Sequence, residues 1–143
     1  MEVTLEKPAF VAAESTSKSA RTQRIEKFFY SAATALFCLQ MGFTAYAQLR
    51  LPQVAQEFTR LGFPAYFRIE LTCAKLIGIV LLLAPVPARL KEWAYAGFAI
   101  NLVSAVIAHV AIGDGPAQWG WAAATGMLWA ASYFLWRRPP ANR

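Results

Sequence analysis

Four apolar stretches, separated by short segments rich in Lys, Arg, Gly and Pro, dominate the pattern of the chain. They lie at about residues 28–49, 65–84, 93–112 and 117–136. Each holds about twenty residues, the length at which a helix rising 1.5 Å per residue crosses a hydrocarbon layer of about 30 Å. The pattern therefore predicts an all-α protein, a bundle of four transmembrane helices.

The connection between the first two stretches has a helical period of its own. Its apolar residues recur at helical spacing, with polar residues on the opposite face: Val54, Ala55, Phe58 and Leu61. Pro52 suits the first turn of a helix, and Gly62 suits the position just after its end. We predict a short amphipathic interfacial helix, equally compatible with a helix that faces lipid and with a lid over a cavity.

The two ends of the chain differ in composition from the apolar stretches. Residues 1–27 are rich in Ala, Ser and Thr and lack an apolar period, which predicts a polar, disordered cytoplasmic tail. Residues 138–143 form a short basic tail on the same side. The membrane domain is therefore expected to occupy residues 28–137.

Composition agrees with a membrane protein. Hydrophobic residues make up 57% of the chain and charged residues 15%, whereas soluble domains average about half and about a quarter. The net charge of +6 does not indicate nucleic-acid binding, because the basic residues lie in the gaps between apolar stretches instead of forming one basic face. Cys38 and Cys73 form no C-x-x-C motif, so we expect both thiols to be buried packing residues and predict no metal site.

The basic residues also predict an orientation, since cytoplasmic flanks carry the excess of Lys and Arg. With the amino terminus inside, ten lie on the inner side: Lys7, Lys18, Arg21, Arg24, Lys27, Arg89, Lys91, Arg137, Arg138 and Arg143. Three lie on the outer side: Arg50, Arg60 and Arg68. We predict a bacterial inner-membrane protein in a lipid bilayer, with both termini cytoplasmic.

Polar residues interrupt the apolar stretches mainly near their predicted outer ends. They are Gln40 and Thr44 in the first stretch, Glu70 and Lys75 in the second, Asn101 and His109 in the third, and Asp114 in the outer turn. At 1.5 Å per residue, Lys75 lies roughly 15 Å below the outer end and Glu70 roughly 8 Å. Ionisable residues at such depth usually face the helix bundle and often mark function. The inner half is expected to be nearly free of polar groups.

Each of these residues also has an ordinary structural interpretation. The Lys75 ammonium can extend outward with its stem in lipid. Glu70 can be a solvated interfacial carboxylate, and His109 a neutral residue that donates to a carbonyl. Asp114, in the sequence Gly-Asp-Gly-Pro, can serve only to form the turn.

Several motifs in the middle of the chain resemble those of the DoxX-like family of small integral membrane proteins. The resemblance runs over residues 28–137, through "EFTRLGFPAYF", "AKLIGIVLLLAPVPARLKEWAYAGFAINL" and "SAVIAHVAIGDG". It implies a four-helix membrane bundle with these residues on family-motif positions: Lys75, Glu92, Tyr95, His109 and Asp114. The family's name is linked to a membrane subunit of thiosulfate:quinone oxidoreduction. The chain departs from the pattern in its long polar amino-terminal segment and in having no paired redox cysteines.

The sequence favours a polar pocket in the outer half of the bundle that binds a quinone or a similar lipophilic molecule in a membrane redox system. The candidate ligand-binding residues are Lys75, His109, Glu70, Asn101, Gln40 and Asp114. In such a site Lys75 would bind a carbonyl and His109 would exchange a proton. The alternative is a non-catalytic subunit or assembly factor for a membrane or redox partner. The sequence does not decide whether the protein is an enzyme.

Overall fold

The structure, a computed structural model, describes residues 7–138, with side chains from residue 20 onward. The described chain is α-helical, with five helices and no strand, which confirms the prediction of an all-α protein. The helices are α1 (Lys7–Arg50), α2 (Pro52–Arg60), α3 (Ala65–Leu83), α4 (Ala88–Ala111) and α5 (Pro116–Arg137).

The short helix α2 confirms the prediction made for the first connection. Pro52 occupies its first turn, where a missing backbone N–H costs no hydrogen bond. Its end is marked by Gly62, whose φ of 81° is easily adopted only by glycine. The helical run is therefore interrupted on both sides of α2, at Leu51 and at residues 61–64.

The helix α1 begins far earlier than the apolar stretch that it contains. Residues 7–27, which we predicted to be disordered, belong to the same continuous helix as the first apolar stretch. Ala, Glu, Lys, Arg and Gln are strong helix formers, and a segment joined to an existing helix avoids the cost of nucleation. Residues 1–6 and 139–143, the remainder of the two predicted tails, lie outside the described residues.

The four long helices pack side by side as a ring. Both α1 and α4 contact α3 and α5, so that each helix has two neighbours. The centre is filled by large apolar side chains, among them Phe37, Leu82, Tyr95 and Phe98. The rings of Phe37 and Phe98 meet edge to face, with their centroids 5.0 Å apart, which joins α1 to α4 across the middle.

The outside of the ring is strongly apolar. Large hydrophobic side chains on all four long helices are more than half exposed, for example Leu39, Ile77, Ile100 and Phe134. A continuous apolar surface of this kind is stable in lipid and not in water. Two helical segments, Ala20–Arg50 of α1 and the whole of α4, are long and apolar enough to cross a membrane.

The prediction of four spans thus has direct support for two of them. The helix α3 is apolar apart from three charged residues, Arg68, Glu70 and Lys75, which a membrane span rarely carries together. The helix α5 interrupts its apolar residues with glycines, tryptophans, Thr125 and Ser132.

Hydroxyl groups connect the helices at the end of the ring away from α2. The Ser132 Oγ lies 2.7 Å from the Thr34 Oγ1 and 2.7 Å from the Tyr95 hydroxyl, linking α5 to α1 and α4. All three side chains are buried. We expected this half of the bundle to be nearly free of polar groups, but Tyr95 and the two small hydroxyl residues satisfy one another inside its core.

Candidate functional site

A cavity of about 760 Å³ lies inside the ring at the end closed by α2. This volume falls within the range of about 300–1,000 Å³ that is typical of small-molecule sites. All five helices contribute to its wall, which is largely apolar. The apolar face of α2 forms its roof through Val54, Phe58 and Leu61. The sequence left open whether α2 faces lipid or covers a cavity. In the structure its apolar face covers the cavity, so we call α2 the lid.

The side chain of Lys75 reaches this cavity from α3. It is buried, with 7% of its surface exposed, so its ammonium does not extend outward into lipid. Among the described residues, its single hydrogen bond is a long one of 3.5 Å from Nζ to the Thr44 Oγ1 of α1. No carboxylate of the described part of the chain pairs with it. Neither Gln40 nor Asn101 accepts from the Nζ in the described structure, so the donor is only weakly satisfied.

The other candidate residues divide into those at the cavity and those away from it. Asn101 and His109 line the wall that α4 provides. Gln40 lies deeper, where its Nε2 donates to the Thr125 Oγ1 of α5 at 3.1 Å. Glu70 is exposed and does not line the cavity, so the structure does not bring it together with the other candidate residues. On the opposite face of α3 from the ring centre, it fits the alternative interpretation of an interfacial carboxylate.

At the rim of the cavity, His109 and Asp114 are joined to α2 by an arginine. The His109 Nδ1 lies 2.6 Å from the Asp114 Oδ2. Arg60 donates to both carboxylate oxygens of Asp114, at 2.8 and 2.7 Å, and also pairs with Glu57 of its own helix. Asp114 is thus more than a turn residue, since it connects the end of α4 to the lid.

The ionisation of this group follows from its contacts. The hydrogen bonds from Arg60, and next those from His109, lower the pKa of Asp114 well below its ordinary value. The same contact with Asp114 raises the pKa of Arg60 above its ordinary value, and Glu57 adds to the effect. An ionised carboxylate only accepts, so the His109 Nδ1 must be the donor. In the described structure the Nε2 of the ring has no hydrogen-bond partner of its own and is available to a ligand.

Several polar residues of the site were not predicted. The Thr72 hydroxyl donates to the Gln48 Oε1 at 3.0 Å, and Arg68 donates to the Gln48 backbone oxygen at 2.7 Å. Gln40, Thr44 and Gln48 follow one another at intervals of four residues, so they share one face of α1. This spacing was the signal that would have identified Gln48.

The two cysteines are separated in the structure. Cys38 is buried, as predicted, but Cys73 is exposed on α3, so the prediction of two buried thiols was wrong for Cys73. The reason is helical phase, because Thr72 and Lys75 take the inward face of α3 and turn Cys73 outward. Within residues 20–138, whose side chains the structure describes, no cluster of three or more His, Cys, Asp or Glu residues is placed to hold a metal ion.

Comparison with known proteins gives one finding. A family model described as the DoxX-like family matches residues 32–132. Neither the curated proteins nor the solved structures contain a match. The matched segment covers most of the helical ring, the lid α2, and the cavity residues Lys75, Asn101 and His109. The chain is a membrane protein and belongs to the DoxX-like family.

Proposed function

We propose that the chain crosses a bacterial inner membrane four times, with both termini in the cytoplasm and α2 on the outer side. The helices α3 and α5 each flank α4, which is apolar enough to cross by itself, so they lie in the same layer. The charges of α3 do not oppose this arrangement. Lys75 turns into the ring, while Arg68 and Glu70 lie near the α2 end, where headgroups are within reach.

The function that the site supports best is binding of a lipophilic molecule with a polar head, with a quinone as the candidate. One observation carries this proposal: Lys75 places a weakly satisfied ammonium in a largely apolar cavity. Buried charge without a partner is costly, and a ligand oxygen that accepts from the Nζ removes that cost. A quinone carbonyl offers such an oxygen on a ring that suits apolar walls.

The wall that α4 provides carries a group for proton exchange. His109 is held in one orientation by Asp114, and its Nε2 is available to the cavity. A neutral imidazole in this tautomer accepts at Nε2 from the hydroxyl of a reduced head. An imidazolium donates there to the carbonyl oxygen of an oxidised head. In this proposal Lys75 fixes one end of the head, His109 exchanges a proton at the other, and Asn101 supplies an amide between them.

Binding by a Lys75→Met variant tests the proposal. The full chain in lipid nanodiscs is titrated with decylubiquinone, and the quenching of tryptophan fluorescence is followed, since Trp121 lines the cavity. We expect Lys75→Met to weaken binding about tenfold or more, because a charge-assisted hydrogen bond contributes about 1.5–3 kcal/mol. Lys91→Met is the matched control, because Lys91 lies at the opposite end and donates to the Leu82 backbone oxygen.

Equal affinity of the wild type and Lys75→Met would refute the quinone-binding proposal. Purification in mild detergent then distinguishes the alternative function. A stoichiometric membrane partner, recovered with no retained small molecule, would favour a non-catalytic subunit or assembly factor.

A further inference from the structure

The seam between α3 and α4 differs from the other three seams of the ring. Side-chain hydrogen bonds cross each of those three within the apolar region: Gln48–Thr72 between α1 and α3, Gln40–Thr125 between α1 and α5, and Tyr95–Ser132 between α4 and α5. Between α3 and α4, the only such bond among the described residues joins the Lys91 Nζ to the Leu82 backbone oxygen, at 3.0 Å. This bond lies at the end away from α2, so nothing polar closes the seam beside the cavity.

A groove of about 320 Å³ follows this open seam. Leu71, Lys75, Gly97 and Asn101 line both the groove and the cavity, so the two spaces adjoin at the level of the Lys75 ammonium. From that level the groove runs away from α2 as far as Leu81, about 9 Å along α3 at 1.5 Å per residue.

The floor and the rims of the groove are apolar. At its floor Phe98 packs against the backbone of α3 at Gly78, where an added Cβ would lie 2.7 Å from the ring. At its rims Ile77 and Trp93 are 61% and 71% exposed on the outer face of the ring. These rims face the surface that lipid covers, whereas the α2 end of the cavity is roofed by the lid and its Arg60 contact.

We propose that the groove holds the apolar chain of the same molecule whose head binds in the cavity. The ligand is then a single-chain amphiphile, which enters from the bilayer between α3 and α4 with its head toward α2. One groove along one seam accommodates one chain, which favours a prenyl or alkyl chain over a two-chain phospholipid. The inference rests on the proposed function, since it takes the position of the head from Lys75.

Two probes that share a head group distinguish binding of the chain from binding of the head. Decylubiquinone carries a ten-carbon chain, and ubiquinone-0 has the same ring without one. Their dissociation constants are measured in nanodiscs by tryptophan quenching and expressed as mole fractions in the bilayer, so that partitioning into lipid does not count as binding. The full chain is used throughout.

The test variant fills the groove from an exposed position. Ala74 lines the groove but not the cavity, and its side chain is exposed, so Ala74→Phe adds a ring without burying one in the core. Ala96→Phe is the control, because Ala96 is exposed on α4 and lines neither space. We expect Ala74→Phe to weaken decylubiquinone binding about tenfold or more and to leave ubiquinone-0 binding unchanged. Ala96→Phe should change neither.

Each outcome bears on a definite claim. Unchanged decylubiquinone binding in Ala74→Phe would overturn the groove while leaving the head site intact, provided that Lys75→Met weakens both probes. If Ala74→Phe weakens the binding of both probes equally, the groove is not a separate site for the chain, and that claim is overturned. If Lys75→Met leaves both probes unaffected, or if the wild type binds neither, the proposed function fails and the groove with it.

Discussion

Replacing Gly78 by alanine should destabilise the protein, although alanine is the better helix former. The Cβ that this substitution adds would lie 2.7 Å from both the Cε2 and Cζ atoms of Phe98. That ring is 3% exposed and rests edge to face against Phe37, so it has little room to move. The substitution therefore forces α3 away from α4 or displaces the ring from the core.

The size of the effect follows from two opposing contributions. Overpacking a well-filled core costs about 1–3 kcal/mol. Exchanging Gly for Ala inside a helix returns up to about 1 kcal/mol. The free energy of unfolding should therefore fall by about 1 kcal/mol in Gly78→Ala. Gly126 is the matched position, because an added Cβ there meets nothing within 4 Å, and Gly126→Ala should be neutral or slightly stabilising.

Reversible unfolding by SDS titration in mixed micelles measures both variants against the wild type. Gly78→Ala should cost less free energy of unfolding in a Phe98→Leu background than in the wild type, because leucine is shorter at the point of contact. A Gly78→Ala protein as stable as Gly126→Ala would refute the reasoning, and so would an equal effect of Gly78→Ala in the Phe98→Leu background.

Three further predictions follow from other contacts. Tyr95→Phe removes the hydroxyl that lies 2.7 Å from the Ser132 Oγ and should lower the free energy of unfolding by about 1 kcal/mol, whereas Tyr133→Phe should have little effect in the same SDS titration. Because Arg60 lowers the pKa of Asp114, the stability from this contact is complete above the ordinary value of 3.8 and is lost as the pH falls below it. The difference in melting temperature between wild type and Asp114→Asn should therefore shrink between pH 5 and pH 3, and a constant difference would contradict this. A green fluorescent protein fused to the carboxyl terminus should fluoresce and alkaline phosphatase fused there should be inactive, whereas the reverse would place that terminus outside.

The sequence predicted most of the helical architecture because apolar spacing and turn residues are local signals. Pro52 and Gly62 bounded α2 correctly for this reason. The start of α1 was missed, since composition alone cannot show that a polar segment continues a helix already formed. The lid role of α2 was not decidable either, because it depends on where α4 and α5 lie.

The sequence predicted how deep the residues of the candidate site lie, but not which side chains pair with one another. Lys75 and His109 do reach one cavity, as their positions along the helices suggested. Glu70 lies away from the cavity, because a shift of a few residues along a helix reverses the face on which a side chain lies. The pairing of Asp114 with Arg60 joins residues from two separate connections, and such contacts arise only from tertiary packing.

The length of α1 has a mechanical consequence. Its 44 residues extend about 66 Å at 1.5 Å per residue, roughly twice the thickness of a hydrocarbon core. One end of this rod carries Thr44 and Gln48 in the cavity wall, and the other projects beyond the ring. Because Thr44 and Gln48 lie in the same continuous helix as the projecting segment, a rigid-body tilt of α1 would move the part of the cavity wall that contacts Lys75.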